Sequence, residues 1–174
     1  NYFGLSMKLP PEWNVQSQEM QQKIMDIGAT VVAGDDENLK AVVKASELQT
    51  VNLLAVFKHP IGAPVAYNPN IVCLAERIRH MPGIKRGKDY HFHSKKLLES
   101  SQIKMSFPKD IYTEQIGGID FDIMTLQMHF AGQAIKQKQY VAVMKGYALL
   151  LLVSFTTNEE EAELEEVLAS VCFE

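Results

Sequence analysis

The chain has 174 residues, 47% of them hydrophobic and 22% charged, which suits a single globular domain spanning residues 1–174 with a substantial core. Its net charge of −4 excludes the strong basic excess of a general nucleic-acid binder. The longest apolar run, Tyr147 to Phe155, falls far short of the roughly 20 residues a bilayer-crossing helix needs.

Phe3, Leu5 and Met7 alternate with Gly4 and Ser6, the period of a short strand, and Pro10-Pro11 ends it for want of a backbone N–H. Trp13 reads as a plug at the edge of the core. Ser17 is placed to cap a helix whose predicted inner face is Met20, Ile24, Ile27 and Val31. Gly28 weakens the middle of that helix and Gly34 stops it. Asp35-Asp36-Glu37 open a second, shorter helix with their charges at its positive end, and Leu39, Val42, Val43 and Ser46 face inward. Val51 to Lys58 is apolar on both faces, with Leu53, Ala55 and Phe57 on one and Leu54 and Val56 on the other, which predicts a covered interior strand. His59 to Pro69 is a long proline-rich loop, Ile71 to Ile78 a strand, and Met81 to Gly87 another loop.

Asp89 is read as the cap of a third helix that runs to about Ser101, with Tyr90, Leu97 and Leu98 inward. Short strands follow at Ile103 to Phe107 and Ile111 to Ile116, and Gly117-Gly118 permits a tight hairpin turn into Ile119 to Phe130. Ala131-Gly132 is the next turn, and Ile135 to Met144 and Tyr147 to Thr156 complete an antiparallel meander. The segment Gln139–Thr157 (QYVAVMKGYALLLLVSFTT) predicts two neighbouring strands at the sheet's centre. In the last helix Thr157 and Glu160 have capping-box spacing, and Leu164, Val167, Leu168 and Val171 form its inner stripe. The acidic run Glu159 to Glu166 is then a solvated face. Helices early, midway and at the end, with strands concentrated late, make an α+β plan: a mostly antiparallel sheet of about six or seven strands with helices packed on it.

Six pieces of this chain, FGLSMKLPPEWNV, NLLAVFK, YNPNI, IGGIDFDIM, KQKQYVAVMKGYALLLLVSF and the closing VLASVCF, cover most of its pattern. In their order the chain resembles the PsbP/Mog-like fold, and within it the DcrB-type family of small bacterial proteins and lipoproteins of largely unknown function. Proteins of this fold include photosystem accessory proteins, a Ran-binding nuclear transport factor and secretion adaptor chaperones. The resemblance implies a binding or assembly protein rather than an enzyme. It carries over no functional residue, because each matching piece is a packing or turn motif. A first residue of Asn1 rather than Met suggests a removed leader or a trimmed chain, and together with the resemblance it favours an extracytoplasmic or lipid-anchored place, where a removed leader or lipid anchor would allow association with a membrane surface.

Motifs that carry chemistry are mostly absent from the sequence. No G-x-S-x-G, Walker or G-x-G-x-x-G spacing is present, and no cofactor is indicated. His91 and His93 form an H-x-H pair, but on a helix such rings point roughly 200° apart, so they read as two surface histidines rather than metal ligands. Asp120 and Asp122 share a strand face beside the glycine turn, with Tyr112 and Glu114 expected opposite them across the hairpin. Cys73 and Cys172 sit among apolar residues and read as two buried free thiols, bridged only if their elements meet in space. Positive charge gathers mid-chain at Arg77, Arg79, Lys85, Arg86, Lys88, Lys95, Lys96 and Lys104, opposed only by Asp89 and Glu99.

The reading this supports is a non-enzymatic binding or assembly protein that contacts a protein partner, not nucleic acid, through its long loops or one sheet face. Arg77, Arg79, Lys85, Arg86 and Lys88 are the candidate contact residues. Two alternatives stand beside it: a small metal-dependent hydrolase using Asp120, Asp122 and a histidine, and an adaptor chaperone that shields apolar helices of a client.

Overall fold

Alternating apolar residues and well-placed caps build four helices and ten strands in the computed structural model, which describes residues 2–130 and 132–174. Asn1 and the first residue of the expected Ala131-Gly132 turn lie outside the described residues. In chain order the elements are β1 (Leu5–Ser6), β2 (Asn14–Val15), α1 (Gln18–Ala33), α2 (Glu37–Glu47), β3 (Thr50–Phe57), β4 (Asn70–Arg77), α3 (Gly87–Glu99), β5 (Met105–Ser106), β6 (Tyr112–Ile116), β7 (Ile119–Phe130), β8 (Gln133–Met144), β9 (Tyr147–Phe155), α4 (Asn158–Ala169) and β10 (Cys172–Phe173).

An eight-stranded antiparallel sheet runs β2-β3-β4-β9-β8-β7-β5, with β6 also on β7. As expected, β8 and β9 lie at its centre, joined by a tight turn at Lys145-Gly146 where both residues have positive φ. The sheet holds more strands than the six or seven expected, because β2, only two residues long, shows no alternation to read. The opening strand is shorter than its pattern and stands outside the main sheet: β1 pairs with β10 instead.

One face of the sheet is sealed by α4, β10 and the N-terminal segment. Phe3, Trp13, Phe121, Tyr140, Leu149, Leu151 and Leu164 are buried there, each large apolar side chain contributing about 1.5–3 kcal/mol relative to exposure. Thr157 accepts from the Glu160 N–H at 3.2 Å while the Glu160 carboxylate accepts from the Thr157 N–H at 3.1 Å, so the predicted capping box is formed. The acidic face of α4 is not merely solvated: Lys138, deep at the sheet surface, bridges Glu161 and Glu165, and Lys58 reaches Glu163.

The other face carries α1, α2 and α3. Two of the predicted helix faces are rotated. In α1, Ile27 is 64% exposed, while Gln21 and Ala33 are buried. The stripe toward the sheet includes Met25, Gly28 and Val32, one step round from the purely apolar stripe in the sequence. In α2, Leu39 is buried and Ser46 is engaged, but Val42 is exposed. Strand β3 is not the covered interior strand expected. It meets β2 only through Asn14–Val15, and a bulge at Leu53 shifts its register, leaving Val51 and Leu53 exposed.

Helix α3 starts at Gly87, two residues before Asp89, which is therefore not its cap. Asp89 reaches back from the first turn and accepts from the Lys85 and Arg86 N–H groups at 3.0 and 2.9 Å. These bonds hold its carboxyl below the usual range. Gly87 is what brings this end of α3 onto the sheet: a Cβ there would lie 2.1 Å from the Val141 carbonyl oxygen and 2.9 Å from Asp122 Cβ.

Candidate functional site

Helix α1 packs on β3 and helix α3 on β7 and β8, and the two do not close against one another above β4 and β9. Between them and the sheet is a cavity of about 380 Å³. Antiparallel register fixes its floor. Val72 stands opposite Leu152 and Leu74 opposite Leu150, making an apolar waist two rows deep. The walls are Ile24, Met25 and Val32 of α1, Val43 of α2, and Leu97 and Leu98 of α3. At Gly28 the α1 wall carries no side chain, and a Cβ there would meet nothing within 4 Å.

Each end of the floor is polar. At one end Asn70 stands opposite Ser154 and Ser154 opposite Gln137. Gln137 donates to the Ser154 hydroxyl at 2.9 Å, and Gln139 donates to the Gln137 carbonyl oxygen at 2.6 Å. At the other end is Glu76, only 8% exposed, whose carboxylate accepts from the Ser46 hydroxyl at 3.0 Å and the Tyr90 hydroxyl at 2.5 Å. Burial and then the Glu76 charge push the Tyr90 phenol well above its ordinary value. Glu47 lines the same end, and among the described residues no lysine, arginine or histidine lines the cavity. Among the described residues no cation forms an ion pair with Glu76. Asn70 and Glu76 are six steps apart along β4, so the two polar ends lie about 20 Å apart.

The carboxylates singled out in the sequence are placed differently. Asp120 is exposed and Asp122 is 4% exposed. The glycine turn pairs Ile116 with Ile119, which sets Thr113 opposite Asp122 and Gln115 opposite Asp120. The expected partners, Tyr112 and Glu114, instead stand opposite Ile123 and Phe121, so their side chains point to the other face. Asp122 accepts from the Thr113 hydroxyl at 2.6 Å and the Lys88 N–H at 2.9 Å, and Arg86 lies at 3.4 Å. Burial raises its carboxyl, but these donors outweigh burial and hold it below the usual range. His91 is wholly buried, not a surface residue, while His93 is exposed, as a helix requires of an i, i+2 pair. Among the described residues no group of three or more His, Cys, Asp or Glu side chains converges on one point.

Arg77, Arg79, Lys85, Arg86 and Lys88 are all exposed. Only Arg86 forms an ion pair among the described residues, and the Lys88 contact with Asp122 is through its backbone. Arg79 packs instead beside Gly146 of the β8–β9 turn. The five therefore follow the rim from the end of β4 to the start of α3 without converging on a pocket. The cysteines are unbridged: Cys73 is buried, and Cys172 is exposed, beside the Ser6 hydroxyl at 3.0 Å. Its exposure departs from the expected pair of buried thiols, because the β1–β10 ribbon turns it outward.

The cavity was missed in the sequence, although a signal was there. Glu76 shares strand alternation with Val72 and Leu74, which puts a carboxylate on an apolar face.

The sequence matches no protein-family model and no curated protein. Solved structures do match. Cyanobacterial PsbP from Synechocystis sp. PCC 6803 aligns over 98% of this chain and 87% of its own, with 10% identity and a TM-score of 0.56. LpqN of Mycobacterium tuberculosis, described as involved in cell envelope biogenesis, aligns over 97% of this chain and 83% of its own, with 12% identity and a TM-score of 0.50. A Bacteroides thetaiotaomicron protein aligns over 98% of this chain but 45% of its own, with 15% identity and a TM-score of 0.50. At such identities the likeness concerns the fold: the chain has a PsbP/Mog-like α+β fold.

Proposed function

We propose that this protein is a non-catalytic binding domain of accessory type, which takes an apolar guest into the cavity between the sheet and helices α1 and α3. The observation that carries this reading is the cavity itself: an apolar waist of Val72, Leu74, Leu150 and Leu152 walled mostly by aliphatic side chains, with its polar groups at the two ends and at Gln139 and Ser94 on its flanks. Asp122, the buried one of the two carboxylates considered for catalysis, already accepts from donors on three residues and has little capacity left for a metal or a proton transfer. The description of LpqN as a participant in envelope biogenesis supports an accessory role outside the cytoplasm.

Titration with the fluorescent apolar probe N-phenyl-1-naphthylamine tests the proposal. Saturable binding is expected in the unmodified chain. Gly28→Trp, which would project an indole into the cavity, is expected to weaken binding about tenfold or more, while Gly28→Ala leaves binding and folding intact. Absence of saturable binding, or binding indifferent to Gly28→Trp in a folded protein, would refute it.

A further inference from the structure

Glu76 is a buried carboxylate beside the apolar rows Leu74–Leu150 and Val72–Leu152 of the cavity floor, and its charge has no counter-ion among the described residues. Burying an ionised group without an opposite charge is costly, and two neutral hydroxyl donors compensate it only in part. A purely structural tie between β4, α2 and α3 would be served as well by glutamine, whose carbonyl oxygen accepts the same hydroxyls. The second acid at this end, Glu47, adds to the negative field, and none of the cavity's lining residues is basic. The Tyr90 phenol, raised by burial and by Glu76, keeps its proton and remains a donor to the carboxylate.

From this charge pattern, and resting on the cavity reading above, we infer that the guest is a cationic amphiphile: an amine head that meets Glu76 and Glu47, with an apolar body along Leu74, Leu150, Val72 and Leu152. The carboxylate has lone pairs beyond those facing Ser46 and Tyr90, and a protonated amine supplies both the charge and the donors they lack. A fatty-acid carboxylate or a phosphate would face two like charges and find no cation in the lining. Gln137 and Ser154 at the far end and Gln139 beside Leu152 are uncharged and linked by hydrogen bonds through Gln137, so they do not compete for the head.

The test compares three guests with one chain length: dodecylamine, 1-dodecanol and dodecanoate, each below its micellar concentration, displacing N-phenyl-1-naphthylamine at pH 7. Dodecylamine is expected to displace the probe at a concentration about tenfold or more below that of dodecanoate, with dodecanol between them. Glu76→Gln is expected to remove most of that preference. Glu47→Gln is expected to reduce it by a smaller factor. Equal or tighter binding of dodecanoate in the unmodified chain overturns the inference while leaving the apolar cavity in place. An unchanged preference for the amine in a folded Glu76→Gln variant also overturns it. If neither probe nor guests bind, the cavity reading falls, and this inference with it. Because the comparison of guests is made first in the unmodified protein, it holds even if a variant fails to fold.

Discussion

His91 Nε2 lies 2.9 Å from the backbone carbonyl oxygen of Asp122, and the carboxylate of the same aspartate accepts from the Lys88 N–H at 2.9 Å. One residue of β7 therefore holds the first turn of α3 twice: by a side chain that caps it and by a carbonyl that receives its buried ring. Since α3 forms one wall of the cavity, the width of that cavity depends on this anchor.

Asp122→Ala should destabilise the fold by about 2–3 kcal/mol, because it strips a charge-assisted cap and leaves the Lys88 N–H and the Thr113 hydroxyl without their acceptor. Asp122→Asn should cost less. The Asp122 carboxyl is depressed in the folded state, so its contribution is present above the unfolded value of about 3.9 and is lost as pH falls through the lower folded value. Urea unfolding of the parent and Asp122→Asn should therefore converge below about pH 4. Parallel curves across that range would refute the assignment.

Burial lowers His91 below its ordinary value, although the Asp122 carbonyl and carboxylate and the Gln139 backbone partly counter this. The unfolded chain thus takes up a proton at a pH where the folded chain still resists it. Stability from this residue is complete above about pH 6.5 and declines as pH falls from there. His91→Gln retains an N–H for the Asp122 carbonyl and should flatten the stability profile between about pH 7 and 5. Unfolding midpoints measured across that window give the answer.

Two glycines should respond in opposite senses. Gly28→Ala, in mid-helix with open space around it, should stabilise by about 0.5–1 kcal/mol. Gly87→Ala drives a methyl against the Val141 carbonyl and should destabilise by about 2 kcal/mol or more. Thermal melts of the two variants separate these outcomes.

The cysteines should differ sharply toward an alkylating reagent. Cys172 is exposed, whereas Cys73 is buried and its thiol is pushed up to about 12 by burial. Native-state labelling followed by mass spectrometry should find a single modified site at Cys172, with Cys73 reacting only on unfolding. Equal labelling of both would show that β4 opens readily.

The central hairpin, the glycine turn and the capping box of α4 were legible because each rests on local chemistry: alternation, positive φ at Gly117 and Gly118, and a Thr157–Glu160 spacing. The cavity was not, because it arises where α1 and α3 fail to meet, and helix separation leaves no mark in a one-dimensional pattern. The rotation of α1 shows the same limit. Ile27 completes an apolar stripe in sequence, yet the helix turns Gly28 and Met25 toward the sheet and leaves Ile27 in solvent. Likewise Asp122 and Thr113 became partners through a register that the two-residue turn sets, one position away from the pairing that sequence spacing suggested.

The β1–β10 ribbon joins Leu5 to Phe173 and Ser6 to Cys172, and the Glu174 N–H donates to the Gly4 carbonyl. Residues at both ends of the described chain thus sit together on the α4 side of the sheet, while the cavity opens between the helices of the other side. A surface, fluorophore or second protein attached at either end is directed away from the cavity mouth. An immobilised sample should therefore bind guests as the free protein does, and one attachment point is as serviceable as the other.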